Sequence, residues 1–187
     1  MTDRLRDQCE IVLQSLWFEY RHYSKKAKLN LERYKKYDRC SVTKQIKILK
    51  RVFDELCAIL QLKRRFIQFN IALYDFGFLK AGGTFEENSC IGCNITIYYV
   101  NNFTLIQYVG VMLHELGHFF HQTYHILDLQ KVEELTDIML VYMGFGDILK
   151  QAYQPYTSNS VMCTLGYIDF KEIEECQAFF QYGENAI

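Results

Sequence analysis

Apolar residues recur three and four positions apart through the first third of the chain. They then alternate through a short middle stretch and return to the wider spacing further on. Leu5, Cys9, Val12, Leu13, Leu16, Trp17 and Tyr20 fall on one helical face with charges between them. After Tyr23 the pattern weakens through Lys25-Lys26-Ala27-Lys28, then resumes with Leu29, Tyr34 and Tyr37. Residues 3–38 are therefore expected to form one or two helices. Ser41 or Thr43 is placed to cap a further helix that runs to about Leu62 through Ile46, Leu49, Val52, Phe53, Leu56, Ile59 and Leu60. These helices read as scaffold.

Arg65–Tyr74 is aromatic and β-branched with partial alternation, so a strand or a helix-to-strand passage is expected. Gly77 and Gly82-Gly83 punctuate the next stretch of chain, and Thr84–Glu87 and Asn94–Val100 read as two short strands. Asn101-Asn102 ends the second strand and Thr104 starts a helix. Another helix is expected from near Gln130 to Tyr142, stopped by Gly144-Phe145-Gly146, with a loop over Gln154–Ser160. Asp169 caps a last helix, Phe170–Gln181. The expected fold class is α+β: amino-terminal helices, a small sheet and two helices beyond it.

Composition narrows this only modestly. At 187 residues one domain is expected, with a basic helical part (1–65) and a sheet-bearing part (66–187). Half the residues are apolar and there is one proline, which argues against disorder. The charged amino terminus carries no apolar signal segment, and no run approaches the ~18 apolar residues of a membrane span. A cytoplasmic protein without a membrane association is the expectation. Seven cysteines, an odd count, suit reduced thiols. Cys90-Ile91-Gly92-Cys93 has no second such pair to complete a metal site, so two ordinary thiols are expected there.

The net charge of −1 hides an asymmetry. Residues 1–80 carry 18 Lys and Arg against 9 Asp and Glu, and residues 81–187 carry 3 against 13. The basic side chains are spread over amphipathic segments without a DNA-reading motif, so nucleic acid is not expected as a partner. A solvated face, or one that complements the acidic half, accounts for them.

The chemistry concentrates in His114-Glu115-Leu116-Gly117-His118. On a helix, residues four apart share a face, so both imidazoles can reach one metal ion. Glu115 lies about 100° round the helix, within reach of a water at that ion but poorly placed to ligate it. Catalytic zinc takes three protein ligands and leaves a position for water. Two patterns could supply the third. A histidine-glycine extension fails, because His121 stands at its glycine position, Tyr124 at its histidine position, and His125 is one residue out of step. A glutamate followed four residues later by an acid is present, in Glu133-Glu134-Leu135-Thr136-Asp137.

These residues resemble the gluzincin group of zinc metallopeptidases, over about residues 95–146. Tyr142–Gly146 and Leu165-Gly166-Tyr167-Ile168 also look like small bacterial zincin-like proteins. The resemblance implies a zincin-like fold and one zinc per chain. It implies His114, His118 and Glu133 as metal ligands, Glu115 as general base, and Asp137 as the acid that receives the other ring N–H of a ligand histidine. Only 14 residues separate His118 from Glu133, a short spacing for the group, and Glu134 is the competing ligand. Glu133 is preferred because it stands one turn before Asp137. The implied activity is peptide hydrolysis by metal-activated water, on a peptide or protein substrate, with a protein partner as a source of specificity. Tyr167, Tyr156, His121 and His125 are the candidates to stabilise an oxyanion. The alternative is a regulatory or binding protein that keeps the zincin fold with its metal structural or absent, with a link to nucleic acid through the basic amino-terminal half as its remoter form. An intact Glu115 weighs against that, since structural zinc needs no base.

Overall fold

The computed structural model describes residues 1–16, 29–73, 82–88, 92–100, 103–124, 133–154, 156–158, 161–163 and 166–183. The class is α+β, mostly helical, as expected. Its helices are α1 (Asp3–Leu16), α2 (Val42–Ile59), α3 (Leu105–Tyr124), α4 (Glu133–Leu140), α5 (Gly146–Ala152) and α6 (Phe170–Gly183). Strands β1 (Ile67–Leu73), β2 (Gly83–Asn88) and β3 (Gly92–Tyr99) form one sheet, and β4 (Tyr156–Ser158) and β5 (Val161–Cys163) form a hairpin. No helix among the described residues is long and apolar enough to cross a membrane.

The local causes follow the sequence closely in α1 and α2. α1 buries Leu5, Cys9, Val12 and Leu16, and Thr2 Oγ1 accepts the Leu5 N–H at its start. α2 buries Leu49, Val52, Phe53, Leu56 and Cys57. It ends because Gln61 adopts φ 51°, which lets the Leu62 N–H reach the Cys57 carbonyl at 2.8 Å. Residues 31–39 depart from the expected helix. They form two short 3₁₀ turns, Leu31–Tyr34 and Tyr37–Arg39. Asn30 Oδ1 accepts the Glu32 N–H, a local bond that competes with helix propagation. Trp17 and Tyr20 lie outside the described residues.

The sheet order is β1-β3-β2, with β1 parallel and β2 antiparallel to β3. Cys93, Ile95, Ile97 and Tyr99 of β3 point alternately into the core. β3, the more legible strand in the sequence, is thus central, paired on both sides. It offers no free edge to a peptide. β2 is the edge strand nearer α3.

α3 is buried over most of its length, from Leu105 to His121. Two glycines let neighbours approach it: a Cβ at Gly110 would stand 2.5 Å from the Ala152 Cβ, and one at Gly117 would stand 2.6 Å from Thr136 Cγ2. α4 and α5 press on α3 at these points. The expected stop at Gly144–Gly146 is only a kink. Gly144 takes φ 91° within a π-helical turn, and the chain resumes as α5. Glycine's freedom here redirects a helix rather than ending it. The loop expected over Gln154–Ser160 contains β4, paired with β5. α6 begins with a reciprocal cap: Glu172 N–H donates to Asp169 Oδ1 and Asp169 N–H to Glu172 Oε2.

Part of the charge asymmetry is resolved internally. Arg4 on α1 bridges Glu134 on α4 and Glu172 on α6, joining the basic part of the chain to the acidic part.

Candidate metal centre

His114 and His118 lie one turn apart on α3, with their rings at 88° and their Nε2 atoms 3.2 Å apart. α4 opens with Glu133, whose Oε2 stands 3.0 Å from His114 Nε2 and 2.9 Å from His118 Nε2. Three potential ligand atoms thus form a nearly equilateral triangle. Ligands at about 2.0–2.1 Å from a tetrahedral zinc lie about 3.3–3.4 Å from each other. Small outward shifts of three side chains would meet that geometry. The donor set, two imidazoles and a carboxylate, suits zinc.

The far side of His114 fixes its tautomer. Its Nδ1 faces Asp137 Oδ1 at 2.9 Å, so a proton belongs on Nδ1 and Nε2 is the nitrogen that points into the triangle. Asp137 is fully buried, and it also accepts the Tyr153 hydroxyl on Oδ1 at 2.7 Å and the Tyr167 N–H on Oδ2 at 2.8 Å. This is the arrangement that orients a metal-binding histidine.

The electrostatics pull positive charge into the triangle. Burial works against an imidazolium at His114, yet the hydrogen bonds to Asp137 and Glu133 outweigh it and push its pKa up to about 10. The hydrogen bond from His114 holds Glu133 below its ordinary value, against the opposing effect of its partial burial. His118 is lowered, by burial and by its neighbour His114. The carboxylates that favour this proton would favour a metal cation too, which must displace the proton from Nε2 to bind.

Glu115 is 7% exposed, and burial raises its carboxyl to about 7, with His114 opposing and Glu133 adding to the rise. Strand β2 closes over it. A Cβ at Gly83 would lie 2.9 Å from Glu115 Oε1, so a side chain there would displace the carboxylate. Phe85 lies 5.6 Å from the His118 ring, and Gln122 donates to Glu87 at 2.8 Å. Alternate residues of β2 therefore track α3 past Glu115, His118 and Gln122.

Of the two adjacent glutamates, packing brings Glu133 and not Glu134 to the histidines. Glu134 faces away and accepts from Arg4 at 2.7 and 2.8 Å and from Gln8 at 2.7 Å. Tyr167 is at the site: its ring stacks on His114 at 5.1 Å and is half exposed. His121 is fully buried between α3 and α4, with Nε2 3.3 Å from Thr136 Oγ1, and is not placed to touch a substrate. His125 and the Tyr156 side chain lie outside the described residues. So does Cys90; its expected companion Cys93 is a buried thiol pushed up to about 12 by burial.

Tyr153, Gly83 and Phe85 carry no sequence signal of their roles at the site. A single tyrosine at the end of a short helix has no spacing partner, and Gly83 reads as punctuation. The Gly166-Tyr167 pair is the available clue to the segment behind His114. No protein-family model matches the chain, and no match to it was found among curated proteins or solved structures.

Proposed function

We propose that this chain is a zinc-dependent peptidase with a zincin-like fold, holding one zinc ion through His114, His118 and Glu133. The observation that carries the reading is the convergence of His114 Nε2, His118 Nε2 and Glu133 Oε2 at 2.9–3.2 Å, with the Glu115 carboxylate buried on the next position of the helix. Bound zinc would supply Lewis acidity, bringing the pKa of a water towards ~7 and polarising a carbonyl. Glu115 takes the proton from the attacking water and delivers it to the leaving nitrogen. Asp137 holds His114 in the ligating tautomer. Tyr167, half exposed above His114, is the candidate to donate to the developing oxyanion.

An extended peptide is the substrate class that suits the surroundings. Among the described residues β2 is paired on one side only, and it runs past the catalytic face of α3. A backbone added along it would hydrogen-bond as a further strand. A protein partner would add to its specificity.

The test is metal content followed by cleavage of a peptide library. About one zinc per chain and peptide hydrolysis are expected, with Glu115→Gln keeping the metal and losing the hydrolysis. Zinc bound without any cleavage in the wild type would favour the regulatory alternative.

A further inference from the structure

We infer that Tyr153 is a positioning residue for the metal centre, acting through Asp137 on His114; this rests on the metal-site reading above. Tyr153 lies at the carboxyl end of α5, outside the five-residue motif and outside the glutamate helix. Its hydroxyl donates at 2.7 Å to Asp137 Oδ1, the same oxygen that receives the His114 Nδ1–H at 2.9 Å. The other carboxylate oxygen is taken by the Tyr167 N–H at 2.8 Å. A carboxylate held by one donor can swing about its Cβ–Cγ bond. With donors on both oxygens its plane is fixed, and so is the line along which Oδ1 meets the imidazole. The orientation of the His114 Nε2 lone pair is set in turn.

The packing around Tyr153 is shaped to put the hydroxyl there. Gly166 adopts φ 84°, and a Cβ on it would fall 2.1 Å from Tyr153 Cε2 and 2.5 Å from Cζ. Gly110 of α3 stands beside the ring as well, where a Cβ would make only ordinary contact with it, 3.4 Å from Tyr153 Cε1. The residue is 6% exposed, with its one polar atom aimed at Asp137. Gly166 therefore does two things. It admits the Tyr153 ring, and its left-handed turn leads into Tyr167, whose N–H completes the carboxylate's set of donors.

Zinc dissociation constants, measured by competition with a chromogenic chelator, test this in wild type, Tyr153→Phe, Gly166→Ala and the double variant. Tyr153→Phe keeps the ring and its packing and removes one hydrogen bond. Its zinc affinity is expected to fall about ten- to a hundredfold while its circular dichroism is unchanged. Gly166→Ala, which disturbs both the Tyr153 ring and the Tyr167 N–H, is expected to weaken zinc at least as much as Tyr153→Phe, and the double variant by less than the sum of the two losses, because the two changes share the Tyr153 hydroxyl bond. Wild-type protein gives a reading that needs no variant. Without metal, proton NMR should show the Tyr153 hydroxyl proton close to the His114 Nδ1 proton.

Tight zinc binding by wild type with Tyr153→Phe within twofold of it would overturn the positioning role and leave the metal site standing. Fully additive losses, or no contact between the two protons, would also overturn it. No zinc binding by wild type would remove both readings.

Discussion

Behind the His114 ring, one carboxylate is met by three donors; in front of it, three ligand-type atoms meet one another. At the rear Asp137 is fully buried and accepts from His114, Tyr153 and Tyr167 at 2.7–2.9 Å. The front is partly open through Glu133, whose side chain is 47% exposed, and it gathers two imidazole nitrogens and a carboxylate oxygen within 3.2 Å. The contrast separates two kinds of buried polar group. A satisfied group such as Asp137 contributes rigidity and asks for nothing further. The converging set in front favours positive charge, a proton or a metal ion. The rear of the site is a satisfied support and the front is a candidate ligand set.

Breaking the rear should have the largest effect on the fold. Asp137→Ala would leave the Tyr153 hydroxyl, the Tyr167 N–H and the His114 Nδ1–H without their acceptor, at an expected cost of about 3–5 kcal/mol in urea unfolding of the metal-free protein. A cost below about 1 kcal/mol would show that the carboxylate is not the anchor described here.

Glu115→Gln breaks the front without touching the metal ligands. Zinc content should be retained and peptide hydrolysis should fall by about 10²–10⁴-fold. Gly83→Ala sharpens the same point from the neighbouring strand. The added methyl displaces Glu115, so turnover should drop about tenfold at unchanged zinc content. Loss of zinc in this variant would mean that β2 supports the ligands rather than the base.

The next test concerns acid. Burial, with His118 and His114 adding, lowers His121 to about 3. The unfolded chain takes up this proton below about pH 6.5 and the folded chain does not, so the residue's contribution to stability is lost as pH falls from about 6.5 towards 3. The slope approaches about 1.4 kcal/mol per pH unit. Subtracting the curve of His121→Leu from that of wild type should isolate the slope, and parallel curves would contradict it. The smallest effect belongs to Glu134→Gln. Its partners are Arg4 and Gln8, so zinc content should match wild type, whereas Glu133→Gln should lower it.

The legibility of these parts from sequence follows their physics. His114 and His118 are visible because candidate ligands on one helix must obey its period, and Glu115 is visible by its place beside them. Glu133 and Asp137 are visible for the same reason on the next helix, and their one-turn spacing is the sequence's ground for preferring Glu133 to Glu134. The choice depends on Arg4, some 130 residues away, which no local pattern encodes. α1 and α2 can be read because each buries one apolar stripe. The segment after Gly144 departs from expectation because a glycine that ends a helix and one that kinks it look alike in sequence. β2 is legible as a strand, but its place at the edge over Glu115 depends on the sheet order. Tyr153 is invisible because its role depends on Gly166 and Asp137 reaching it through the fold.

X-ray absorption at the zinc edge, on protein purified without chelator, tests the central claim most directly. The account predicts about one zinc per chain in a first shell of two imidazole nitrogens and carboxylate or water oxygen, without sulfur. His118→Ala should lose the metal. A sulfur-rich shell, or no zinc even after it is supplied, would contradict the account.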